Sequence, residues 1–145
     1  MQPGTVTTTN GFTINVLQNA SGNVAWNCDC HGYTIADGKF WINDPDMQGF
    51  LSTQTYLARN PVVVQTSNPS VGDIVVFSND GDVRHSAILT GPGQVTMAAG
   101  VQVYAGGSKT TTVPINQAWP YPNTTTTYYH PQPLPPSPGT GGGGG

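Results

Sequence analysis

Charge is what this chain has least of. Four Lys and Arg stand against seven Asp and Glu, a net charge of −3, and charged residues make up only 8% of the sequence, far below the share usual in soluble domains. Four cations cannot neutralise a run of phosphates, so no nucleic-acid partner is expected, and no polybasic patch is present for an anionic membrane. No apolar run approaches the ~20 residues of a membrane-spanning helix, so no membrane span is expected. Met1-Gln2-Pro3-Gly4 has neither a basic n-region nor an apolar h-region, so no Sec signal peptide is expected within this chain. Only two cysteines occur, too few for a disulfide framework. Thr, Asn, Gln, Ser and Gly fill the surface instead, a composition that points to an extracellular or cell-surface setting.

What is present reads as one domain between two low-complexity ends. Residues 1–11 form a polar arm, with Thr5 to Thr9 able to add an edge strand, and residues 12–130 are the folded domain. Residues 131–145 are a Pro/Gly tail or linker, polyproline II first and then flexible glycine. Phe12 to Val16 alternates at period two, as a half-buried strand does. Cys30 to Ala36 fits a short helix capped by Asn27 or Asp29. Asp44-Pro45 opens the clearest helix, with Asp44 as N-cap, Met47, Phe50, Leu51, Leu57 and Ala58 on one face, and Asn60-Pro61 as its end. Strands follow at Val62 to Val64, Val71 to Phe77, His85 to Thr90 and Gln94 to Ala98, with Val101 to Tyr104 a further candidate. Asp80-Gly81 marks a hairpin. Residues 106–123 read as irregular, and Thr124 to Tyr129 as the last strand. Helices followed by an antiparallel meander define an α+β fold.

Both cysteines lie in Asn27-Cys28-Asp29-Cys30-His31-Gly32-Tyr33, and His85 follows about 55 residues later on a strand. A thiol at a helix start, with a distant histidine brought near by the fold, is the minimum outfit of a cysteine nucleophile and its base. The unpaired N–H groups of the first turn stabilise a thiolate and can line an oxyanion hole. Cys30 is the expected nucleophile and His85 the base, with Cys28 the alternative nucleophile. Trp26 and Tyr33 are candidates for the substrate groove. A zinc site built from Cys28, Cys30, His31 and His85 lacks the paired Cys-x-x-Cys knuckles, so no metal and no cofactor are expected.

Asp29-Cys30-His31-Gly32-Tyr33 resembles the Asp-Cys-Ser-Gly-Phe/Leu motif of the NlpC/P60 cysteine peptidases. Gly72-Asp73-Ile74-Val75-Val76-Phe77 and His85-Ser86-Ala87-Ile88-Leu89-Thr90-Gly91 are similar to that superfamily's Gly-Asp-Leu-Val-Phe-Phe and His-Val-Gly-Ile-Tyr-Leu-Gly. A group of uncharacterised bacterial papain-like domains is closer. It reads Asn-Cys-His-Gly-Trp, Gly-Gly-x-Phe-Trp-Ile-x-Asp, Val-Gly-Asp-Val-Val-Val-Tyr and His-Ser-Ala. Cys30 to Tyr33, Asp37 to Asp44, Val71 to Phe77 and His85 to Ala87 match these in order.

The resemblance covers residues 24–100. It implies a papain-like fold with N-terminal helices packed on an antiparallel sheet, and a Cys/His peptidase or amidase of bacterial or phage origin. Peptide or peptidoglycan stem-peptide substrates follow from the same likeness. Counting to the family's third catalytic position lands on Met97, whose thioether is a poor orienting group. Gln94, Thr96 or Gln102 then takes that role, or the site is a dyad, or it has lost activity. The rival expectations are an acyltransferase using the same pair, and a non-enzymatic surface or assembly module that keeps the fold and associates through its termini or carries a further module on its tail.

Overall fold

Asp80 and Gly81 sit at φ +52° and +85°, the left-handed pair that a two-residue type I′ hairpin demands. They join β4 (Ile74–Asn79) to β5 (Asp82–Gly91). A Cβ on Gly81 would meet nothing within 4 Å, so substitution there costs conformational energy and creates no clash. Gly81→Val is expected to lower stability by about 1–2 kcal/mol, read as a lower denaturant midpoint at unchanged slope.

The computed structural model describes residues 2–7, 13–18, 30–36, 40–52, 63–98 and 110–131. The central hairpin belongs to a six-stranded antiparallel sheet with β3 (Val63–Thr66), β6 (Gln94–Ala98), β7 (Thr110–Pro114) and β8 (Thr124–Pro131), in the order β3-β8-β4-β5-β6-β7. The last strand is thus inserted between β3 and β4, and the expected simple meander is broken there. A second antiparallel pair, β1 (Gln2–Thr7) and β2 (Thr13–Gln18), is matched along its full length. The fold is α+β and mostly strand.

Helix α1 (Cys30–Ala36) and helix α2 (Asp44–Leu51) pack against β5. On their side of the sheet Ile74, Val76, Val63 and Val83 meet Met47, Phe50 and Leu51 of α2, Ile14 and Val16 of β2, and Ile42. Backbone bonds of 2.7 and 3.0 Å between Leu17 and Trp41 tie the small hairpin to the segment before α2. The opposite face carries Val75, Phe77, Ala87, Leu89 and Val95, covered by Ala118, Trp119 and Tyr128. Val75 and Val76 are therefore both buried, one on each face, which is why this strand reads as a continuous apolar run. A bulge after Phe77 leaves Arg84 as the extra residue, since Phe77 pairs with His85 and Ser78 with Val83. It turns Val83 and His85, two apart in sequence, to opposite faces.

Two local expectations are corrected. Asp44 is not the N-cap of α2: Asn43 is, without a side-chain cap bond, and Asp44 is the first helical residue. Its carboxylate is engaged elsewhere. Residues 110–118 are not irregular, forming β7 and a single turn, α3 (Ile115–Ala118). The Thr-rich run pairs along β6, and Pro114 sits where no further ladder donor is needed. Among the described residues α2 ends at Leu51, while Leu57, Ala58 and the expected stop at Asn60-Pro61 lie outside them, as do the caps Asn27 and Asp29, the candidate strand 101–104 and the tail beyond Pro131.

Candidate functional site

The second residue of α1, His31, is fully buried. Its Nε2 lies 2.7 Å from Asp44 Oδ1 at the start of α2, and its Nδ1 lies 2.7 Å from Ser86 Oγ on β5. Ser86 Oγ–H donates to Thr34 Oγ1 at 3.0 Å, and Thr34 Oγ1–H to the Cys30 carbonyl at 2.8 Å. A hydroxyl has one proton to give. Ser86 gives its proton to Thr34, so His31 Nδ1–H must donate to Ser86. Asp44 can only accept when ionised, so Nε2–H donates as well. An imidazole that donates from both nitrogens is an imidazolium, and it is paired here with a carboxylate. This chain of donors pins α1 to β5 and to α2, and it explains why Asp44 leaves the cap to Asn43.

One residue along β5, His85 points to the opposite face, because adjacent strand residues alternate. It is 7% exposed and lies between two rings, Phe77 at 5.6 Å and Trp119 at 5.2 Å between centroids, both close to parallel. Trp119 is held by Nε1–H donating to Asn79 Oδ1 at 2.8 Å and meets Tyr121 edge-on at 4.6 Å. The Nε2 of His85 lies 2.9 Å from Met97 Sδ. A thioether has no proton to give, so Nε2–H is the donor. The neutral ring then carries its lone pair on Nδ1. The His85 pKa is lowered to about 4, first by burial and then by the charge on His31, with Asp44 opposing both. At neutral pH His85 is an uncharged ring with its lone pair on Nδ1.

Cys30 is the first residue of α1, a half-buried free thiol. Its helix docks through His31 and Thr34 on the Ser86 face of β5, and among the described residues no hydrogen bond joins Cys30 to His85. Of the candidates for a third group, Thr96 Oγ1 is engaged with Thr90 at 2.9 Å and Thr112 at 2.8 Å. Gln94 is exposed at the β5–β6 turn, against Gly91. Met97, where the count to a third position lands, has its sulfur beside the His85 ring. Tyr33 is half-buried on α1, its phenol pKa raised by burial. Trp26, Cys28 and Gln102 lie outside the described residues. Among the described residues no three His, Cys, Asp or Glu side chains converge as metal ligands would.

The reading from sequence missed Ser86, Trp119 and Phe77 as partners of the two histidines. Phe77 and Ser86 had a legible signal, the alternation along β4 and β5. Trp119 had none, lying 34 residues beyond His85 in a segment without periodicity. A third histidine completes the set: His130 Nδ1 lies 2.6 Å from Oδ1 of buried Asp73, whose Oδ2 accepts the Ser70 N–H at 2.8 Å. Asp73 thus closes the turn before β4 and ties the end of β8 to it. No family model, no curated protein and no solved structure matches this chain.

Proposed function

We propose that this chain is a cysteine hydrolase of the NlpC/P60 type, with Cys30 as nucleophile and His85 as base. One observation carries the reading. His31 and Ser86 are 2.7 Å apart, and Cys30 and His85 are their immediate chain neighbours, so the docking of α1 brings the thiol-bearing turn to the segment that carries the base. The preset tautomer of His85, with Nδ1 unprotonated, is the state a general base requires. The Cys30 thiol gives its proton to Nδ1 and its sulfur bonds to the carbonyl carbon of a peptide or amide. The C–N bond breaks as the imidazolium returns that proton to the leaving amine. Water then adds to the thioester with Nδ1 as base again, releasing the acid and the thiol. Met97 would hold the ring in place of the family's polar third residue. Peptidoglycan stem peptides are the proposed substrates by analogy with the superfamily, and an extracellular or bacterial-surface location goes with them.

A second reading rests on a specific observation: His85 faces Phe77, Met97 and Trp119, the side of β5 away from Ser86. A chain with that arrangement at rest is a surface or assembly module retaining the architecture without the chemistry. Two measurements separate the readings. With purified sacculi as substrate, Cys30→Ala is expected to abolish amine release while Cys28→Ala retains it. In the Cys28→Ala background, iodoacetamide is expected to modify Cys30 at pH 6 much faster than a free thiol. Full hydrolysis by Cys30→Ala overturns the enzyme reading. Slow labelling together with inert sacculi favours the assembly module.

A further inference from the structure

The face of the sheet opposite His85 carries an open cleft of about 340 Å³, lined among the described residues by the C-terminal end of α2 and by β4, β5 and β8, a size within the usual range of small-ligand sites. Among the described residues its walls hold no charged side chain. Ser78, Thr125, Thr127 and Tyr129 present hydroxyls from the sheet, and Gln48 and Ser52 line it from α2. The register explains the row: Ser78 pairs with Thr125, Val76 with Thr127 and Ile74 with Tyr129, so alternate residues of β4 and β8 share this face. Leu51, Val76 and Val83 form its apolar floor. The charges next in sequence to lining residues, Asp80, Asp82 and Arg84, are absent from the lining.

The four sheet hydroxyls make no side-chain hydrogen bond within the described residues, whereas the threonines at 90, 96 and 112 bond to one another. Each unpaired hydroxyl offers one donor and two acceptor positions in an adjustable direction. Among the described lining residues no cation is present for a phosphate or carboxylate, and no anion for an amine. The complementary ligand is uncharged, carries several hydroxyls that both donate and accept, and has a C–H face to lie on valine and on the Tyr129 ring, whose π-face is electron-rich. We propose that this cleft is a binding site for a neutral saccharide, separate from the Cys30 and His85 region.

Amide-resolved NMR of the full chain, titrated with cellotetraose and with chitotetraose, tests it. Saturable shifts are expected at residues 76–78, 83 and 125–129 with at least one of the two sugars. Thr127→Val combined with Tyr129→Phe keeps shape and removes two hydroxyls, and is expected to weaken binding about tenfold. An unchanged dispersed spectrum of the free variant shows that its fold is intact. Cys30→Ala is expected to bind as the parent does, so loss of hydrolysis and loss of sugar binding are scored independently. Absence of shifts with both sugars overturns the proposal, as do shifts mapping to another face or equal binding by the double variant. Saturation of the cleft by an uncharged peptide, acetyl-Ala-Ser-Gly-Ala amide, but by neither sugar also overturns it.

Discussion

Replacing His31 with alanine is expected to lower the unfolding free energy by about 4 kcal/mol, and so the thermal midpoint by roughly 10 °C for a chain of this size. Two losses add. Removing a fully buried ring leaves a cavity under α1, and the polar groups that surrounded the ring lose their partner. Ser86 Oγ, itself fully buried, loses the donor that now reaches it, and Asp44 Oδ1 loses a charged partner. The Asp44 share is the smaller one, because that carboxylate is 38% exposed and water replaces part of what it loses. Ser86→Ala strips both the acceptor of His31 Nδ1–H and the donor to Thr34 Oγ1 and is expected to cost about 1–3 kcal/mol. The double variant should cost less than the sum, since both single changes break the same bond. Circular-dichroism melts of the four proteins measure all of this. A His31→Ala loss below 1 kcal/mol, or strict additivity with Ser86→Ala, contradicts the donor chain described above.

That network also shows what a linear reading can and cannot reach. The 30–36 helix, the 94–98 strand and the Asp-Gly hairpin were legible because each is set by local chemistry: a turn that needs positive φ, or a period of two over a few residues. The insertion of β8 between β3 and β4 was not, because pairing partners 45 to 68 residues apart leave no local trace. Asp44 was misread for a related reason. Asp before Pro is the ordinary signature of an N-cap, yet a buried imidazolium 13 residues earlier competes for the same carboxylate, and a charge-assisted bond outweighs one to a backbone N–H at a solvated helix end. Cys30 and His85 were singled out by residue type and motif order, but which face of β5 each addresses depends on pairing. That Met97 lies against the His85 ring follows from the pairing of β5 with β6 and not from residue type.

Between pH 6.5 and about 4 the protein is expected to lose about 3 kcal/mol of stability through His85 alone. The unfolded imidazole takes up its proton near 6.5, while the folded one, desolvated between Phe77 and Trp119 and facing the charge on His31, resists until about pH 4. In that window the unfolded chain binds more protons than the folded one, so stability falls as pH falls. The contribution is complete above 6.5 and levels off below the folded value. His85→Phe keeps a ring of similar size in the stack and removes the titration, so its urea midpoint should change less with pH across the window than that of the parent. Met97→Leu keeps the volume but removes the acceptor of Nε2–H, and ¹⁵N spectra of the His85 ring should then lose the single Nε2–H tautomer. An identical pH slope in the parent and His85→Phe would contradict the assignment of this effect to His85. It would also remove the electrostatic argument for a neutral His85, leaving its proposed role as a base to rest on the Met97 contact alone.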